Sequence, residues 1–159
     1  MHAITRRAVA GAVFAAALAA LLSMMTRGAA QTMNLVATPD KAATVQIARP
    51  RTSAGTFLDL WVRAYTPPPR GAVEAVVTLT AGGHEVEIGR FAVFPSEPFF
   101  ATQAWQQRAY RFDATAALAA LKDHDGPLVV QVRLVPIDAG VSPEGAQLTI
   151  SKVELSPRR

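Results

Sequence analysis

The sequence contains no cysteine and only three histidines in 159 residues. Without thiols there is no disulfide framework, no thiolate metal site and no cysteine nucleophile. His2 stands at the N-terminus, leaving His84 and His124 for the rest of the chain. Zinc and copper centres ordinarily draw on three or four good ligands, so two imidazoles fall short of a catalytic metal site. Both sit in turn-like text beside acids, His84-Glu85 and Asp123-His124-Asp125. Adjacent residues in a turn do not all point one way, and these read as solvated turn residues. Ser53, Ser96, Ser142, Ser151 and Ser156 lack the Gly-x-Ser-x-Gly setting of a strained nucleophile turn. Gly82-Gly83 and Gly126 lack the lysine and spacing of a phosphate loop. Glu85 and Glu87, two residues apart, read as the solvated face of a strand. No catalytic constellation, metal site or cofactor site is expected.

What the chain does have is apolar mass. Half of its residues are hydrophobic and the mean hydropathy is +0.20, which excludes a disordered chain. The length fits one domain. Residues 1–30 have the layout of a bacterial export signal. Arg6 and Arg7 form a positive start, Ala8 to Met25 carries no charge, and Gly28-Ala29-Ala30 supplies small residues for cleavage after Ala30. Thr5-Arg6-Arg7 is similar to the opening of a twin-arginine signal, but Ala8-Val9-Ala10 lacks the usual bulky pair. The alternative is an inner-membrane anchor over residues 8–25, at the short end of what spans a bilayer. Cleavage would leave residues 31–159, exported to the periplasm or secreted. It would also remove Arg6, Arg7 and Arg27 and no acid, so the net charge of +4 falls to about +1. The pI near 10.1 then belongs mostly to the leader and to Arg158-Arg159. No nucleic-acid partner is expected, and membrane contact is expected only through the leader.

Beyond the leader the hydrophobic period is two, the period of a half-buried strand. Residues 31–42 read as an extended linker, 43–155 as the domain and 156–159 as a tail. Strands are expected over Thr44–Ala48, Thr56–Tyr65, Val73–Thr80, Glu85–Phe94, Gln107–Phe112, Pro127–Pro136 and Gln147–Leu155. In Thr56–Tyr65 the alternation puts Leu58, Leu60, Val62 and Ala64 on one face and Phe57, Asp59, Trp61, Arg63 and Tyr65 on the other. Gly82-Gly83 marks a tight hairpin, and Gly89-Arg90 a bulge. In the last strand the inward set shifts by one between Ile150 and Val153. Asp113 is placed to cap a helix over 114–122 that docks through Leu118 and Leu121. Together these predict an all-β antiparallel sandwich of about seven strands with one short crossing helix, preceded by a signal helix. The segment Pro95–Gln106 is irregular and aromatic. Phe99, Phe100, Trp105, Trp61 and Tyr65 are rings that the period does not place cleanly inside, and they are the candidate partner contacts.

Five segments, in order, resemble the C-terminal domain of polyphenol oxidases and bacterial tyrosinase-like proteins. Leu58–Ala64 (LDLWVRA) is similar to its "FDV-Y" strand, and Ile88–Pro95 (IGRFAVFP) to its glycine-containing aromatic strand. Tyr110–Leu121 (YRFDATAALAAL) resembles its crossing helix with the preceding Asp. Val129–Pro136 (VVQVRLVP) and Leu148–Leu155 (LTISKVEL) resemble its last two strands. The match spans about residues 43–155, and each motif alone is ordinary strand text. The resemblance implies the sandwich fold but not oxidase activity. In that family a preceding domain binds two copper ions on six histidines; here a leader stands in its place. In multidomain members the sandwich covers the mouth of the copper site. The resemblance therefore implies an exported, non-catalytic accessory domain that associates with or shields a separate tyrosinase-like oxidase. No residue matches a known plug position by motif, so Phe99 and Phe100 are candidates from position alone. The competing expectation is a small-ligand or glycan-binding sandwich that stacks sugars on Trp61, Tyr65 and Trp105.

Overall fold

A computed structural model describes residues 34–51, 53–93 and 97–158. The expected export signal over 1–30, and Phe94 and Arg159, lie outside the described residues. Among these residues nine strands form two antiparallel sheets, with one short α-helix between β7 and β8: β1 (Leu35–Ala37), β2 (Ala43–Ile47), β3 (Thr56–Thr66), β4 (Val73–Ala81), β5 (His84–Ala92), β6 (Phe99–Phe100), β7 (Arg108–Asp113), α1 (Thr115–Ala120), β8 (Leu128–Pro136) and β9 (Gln147–Pro157). The fold is an all-β sandwich. One sheet runs β1-β9-β3, with β6 and β7 both paired to the far edge of β3. The other runs β2-β8-β4-β5. Among the described residues, no helix is long and apolar enough to cross a membrane.

The inward side chains are those the alternation selects. Leu58, Leu60 and Val62 of β3, Val73, Ala75, Val77 and Leu79 of β4, Leu128, Val130, Val132 and Leu134 of β8, and Leu148 and Ile150 of β9 are all buried in one core. Gly82 and Gly83 both have positive φ and link β4 to β5 by a two-residue turn, as the right-handed twist of a hairpin favours. The Asp113 carboxylate accepts from the Thr115 backbone N–H at 2.9 Å. This holds the start of α1, although the helix is shorter than 114–122 and the cap position itself is Ala114. Leu118 and Leu121 are buried, and α1 carries the chain from one sheet to the other.

Three particulars depart from the sequence reading. The segment read as a linker contains β1, which pairs with β9 from Leu35–Ile150 to Ala37–Leu148, and Ala37 is completely buried. The bulge in β5 falls at Ile88, because Val77 pairs with Gly89 and Thr78 with Glu87. The third concerns β3. Its ladder with β9 slips twice: Ser151 is the extra residue on β9, and Arg63 the extra residue on β3. The first slip is the shift by one expected between Ile150 and Val153. The second reverses the faces of β3 beyond Val62, since a one-residue insertion moves every later side chain across the sheet. Tyr65 therefore sits opposite Leu148, and it is buried at 3% exposure. Ala64, expected inward, is the residue displaced.

Gly89 is required sterically. A Cβ there would lie 2.6 Å from the Phe112 ring, which packs on Phe91 and seats β7 against β5. Gly89→Ala is expected to destabilise the fold by about 1–3 kcal/mol in urea unfolding, as overpacking does. Adding Phe112→Leu is expected to return part of that loss. A neutral Gly89→Ala would mean that the ring moves freely.

Candidate functional site

The bulge at Arg63 builds an aromatic edge. Its carbonyl accepts from the Ala101 N–H at 2.8 Å, and β6 pairs Phe99 with Tyr65 and Phe100 with Ala64. A two-residue strand is thereby tied to the strand at the centre of its sheet. The Arg63 guanidinium lies 5.0 Å from the centre of the Phe100 ring, and its Nη1 donates to Asn34 Oδ1 at 3.3 Å. Arg108 lies 4.0 Å from the centre of the Phe99 ring, a cation–π distance.

After β6 the chain makes a single 3₁₀ turn, Ala104–Gln106. Gln106 organises it. Its Oε1 accepts from the Thr102 N–H at 2.9 Å, the Thr102 hydroxyl at 2.9 Å and the Gln103 N–H at 3.0 Å. The bond to the Gln103 N–H is one half of a capping box; the Gln103 side chain accepts from the Gln106 N–H in return. At the exit, the Ser151 hydroxyl donates to Gln107 Oε1 at 2.7 Å. The turn is thus pinned to β3 before it and to the β9 bulge after it. Trp105 stands on it with 81% of its surface exposed, and Phe100 beside it with 64%.

The five candidate contact residues separate accordingly. Phe100 and Trp105 are open. Phe99 is half-buried against the core. Tyr65 is withdrawn altogether, and burial raises its phenol above the ordinary value of 10.0. Trp61 is half-buried on the outer face of β3, with the Lys152 ammonium 4.4 Å from its ring centre. The structure does not bring Trp61, Tyr65 and Trp105 together as one stacking surface.

Trp61 belongs instead to a groove of about 560 Å³ that Phe57, Asp59, Arg111, Glu154 and Ser156 also line. Its floor is Asp59, buried on a sheet's outer face. Asp59 Oδ1 accepts from Arg111 Nε at 2.6 Å, while Oδ2 accepts from Arg111 Nη2 at 3.0 Å and from the Ser156 hydroxyl at 2.6 Å. The bidentate Arg111 bond, foremost, holds the Asp59 carboxyl below its ordinary 3.8, against the opposing effect of burial. A larger concavity of about 670 Å³ is lined by the loops 38–40 and 142–147 and carries no aromatic ring. The sequence reading missed Gln106, which three bonds single out, and the meeting of His84 with His124, whose ring centres are 3.7 Å apart.

A carboxyl ionised more easily in the folded state stabilises the fold above the ordinary carboxylate range. That stability is lost as pH falls through the lowered value. Asp59→Asn is expected to cost about 1.5–3 kcal/mol at pH 7, the range for hydrogen bonds to charged groups. The melting-temperature gap between variant and parent is expected to narrow as pH falls below 4. A gap that stays constant with pH would show that the carboxylate charge contributes nothing. No family model matches this sequence, and no curated protein matches it.

Proposed function

We propose that this chain is a non-catalytic binding module that docks on a separate protein through the aromatic edge, with Phe100 and Trp105 as anchors. The observation that carries this reading is the pair of rings held open to solvent, Phe100 on β6 and Trp105 on a turn fixed at both ends. Exposed apolar side chains on a yielding loop would fold back or lose entropy on contact. On a fixed scaffold they meet a partner at little ordering cost, and large aromatic rings commonly carry most of the energy of an interface. Arg63 adds a charge beside them, in keeping with the enrichment of arginine at such surfaces.

The partner we propose is a tyrosinase-like oxidase with a binuclear copper centre, in an exported compartment. Support for it comes from the five segments that resemble the sandwich domain of that family. The all-β sandwich is the fold that the resemblance implies. Sugar stacking, the competing reading, would now rest on Trp105 alone, because Tyr65 is buried and Lys152 covers one face of Trp61.

Affinity capture with the full chain, expressed in its own host and isolated from the exported fraction, is expected to recover a copper protein carrying six histidine ligands. Phe100→Ala and Trp105→Ala are each expected to weaken that association by about 30-fold, the loss of a 2 kcal/mol hot spot. The melting temperature should not change, since both rings are solvent-exposed. Recovery of no copper protein would overturn the partner. Undiminished capture by the double variant would overturn the surface.

A further inference from the structure

The groove on the outer face of β3 has no part in the aromatic edge. Phe57 and Trp61 stand four residues apart on that face, with Asp59 between them. The Arg111 guanidinium is bonded to Asp59 and lies 5.5 Å from the centre of the Phe57 ring. We propose that this groove binds a small planar carboxylate, an aromatic acid, with Arg111 as the receiving group.

The open edge of Arg111 is the first argument. A guanidinium carries five N–H donors in a rigid fork and can take a carboxylate side-on or end-on. Asp59 occupies the side-on edge, through Nε at 2.6 Å and Nη2 at 3.0 Å. Among the described residues no acceptor takes the end-on edge, formed by Nη1 and the outer N–H of Nη2. The Asp59 side chain is 7% exposed and the Arg111 side chain 63%. The fork is thus held from below and open to the groove. An arginine fixed in this way is in place before a second carboxylate arrives, which lowers the ordering cost of binding.

The second argument is that the nearby acids are already engaged. Asp59 is bonded to Arg111 and to Ser156. Glu154 meets the Lys152 ammonium at 2.7 Å. Asp113, opposite Phe57 on β7, accepts from the Thr115 N–H. Arg158, exposed on the rim, acts on Asp113 through its charge and makes no side-chain hydrogen bond among the described residues. An incoming anion therefore meets two cationic donors, Arg111 and Arg158, and no unpaired carboxylate among the described lining residues.

The walls set the class of ligand. A volume of about 560 Å³ lies within the range of small-molecule sites. Four residues of strand place Phe57 and Trp61 about 13 Å apart, which leaves room for one flat ring between them. Both walls are half-buried, so they stand ready. A planar acid lays its ring against theirs and turns its carboxylate to Arg111. An aliphatic acid makes the charged contact without the walls. Arg111 on Phe57 and Lys152 on Trp61 disfavour a cationic ligand. The site differs from the aromatic edge and does not depend on it.

Calorimetric titration of the full chain with benzoate tests this, beside acetate, inorganic phosphate and the neutral benzamide. One benzoate per chain is expected, bound about tenfold more tightly than any of the other three. Arg111→Lys keeps the charge and loses the end-on edge, and should weaken benzoate by about tenfold or more. Arg158→Gln should weaken it several-fold. In a Trp105→Phe background, where Trp61 is the one remaining indole, benzoate should quench the emission. No saturable binding would overturn the proposal. Benzamide binding as tightly would remove the charge from it, and acetate or phosphate binding as tightly would remove the rings; each overturns it. So would undiminished affinity in Arg111→Lys with an unchanged circular dichroism spectrum. If Arg111→Lys does not fold, Arg158→Gln and the Trp61 emission decide, and a response in neither overturns the proposal.

Discussion

The ladder between β3 and β9 is the constraint on which the rest of the molecule depends. It is the seam of its sheet, with β1 attached on one side and β6 and β7 on the other. Each strand of the seam carries one extra residue, Ser151 on one and Arg63 on the other. The two insertions compensate, so pairing continues to Tyr65–Leu148 and beyond. A single insertion would have left the two strands out of phase, with one apolar face turned to water. The pair falls where β7 stops and β6 begins. It turns Tyr65 into the core and frees the Arg63 carbonyl to receive β6.

The outer faces of the two sheets solve the same problem differently. On the outer side of β4, Val76 and Thr78 are buried beneath long charged side chains. Arg90 bridges Glu74 at 2.7 Å and Glu87 at 2.8 Å, and Arg133 meets Glu85 at 3.0 Å. Exposed pairs of this kind contribute little energy individually; their aliphatic stems supply the cover. On the other sheet a single carboxylate, Asp59, is sunk below Arg111 and Ser156. A buried charge must have its partners in place, which makes that face sensitive to acid.

Much of the sandwich was legible in the sequence because alternation is a local signal. Leu128, Val130, Val132 and Leu134 name their own face, Gly82-Gly83 names its turn, and the slip in β9 shows as the spacing from Ile150 to Val153. The slip in β3 was equally present, as the three-residue step from Val62 to Tyr65. It was hidden because Ala64 offered an apolar residue on the expected beat. β1 was missed because three residues are too few to show a period, and β6 because two are fewer still. The candidate site was legible only as composition. Whether a ring faces water depends on the Arg63 bulge and on Gln106, and neither residue type advertises such a role. The contact of His84 with His124 was beyond reach, since it depends on how one sheet's hairpin meets the turn after the crossover helix.

The position of β9 has a kinetic consequence. This strand comes last in chain order among the described elements, yet it lies between β1 and β3, joining Leu35 to Ile150. Loop-closure entropy must therefore be met over most of the domain before the seam can form, and pairings of such long range are slow. During synthesis, β3 has no partner on one side until the final strand emerges. The other sheet is complete once β8 has emerged, so the two halves of the core become available at different times. The apolar face of β3 waits exposed in the interval, the period in which such a chain is most open to aggregation.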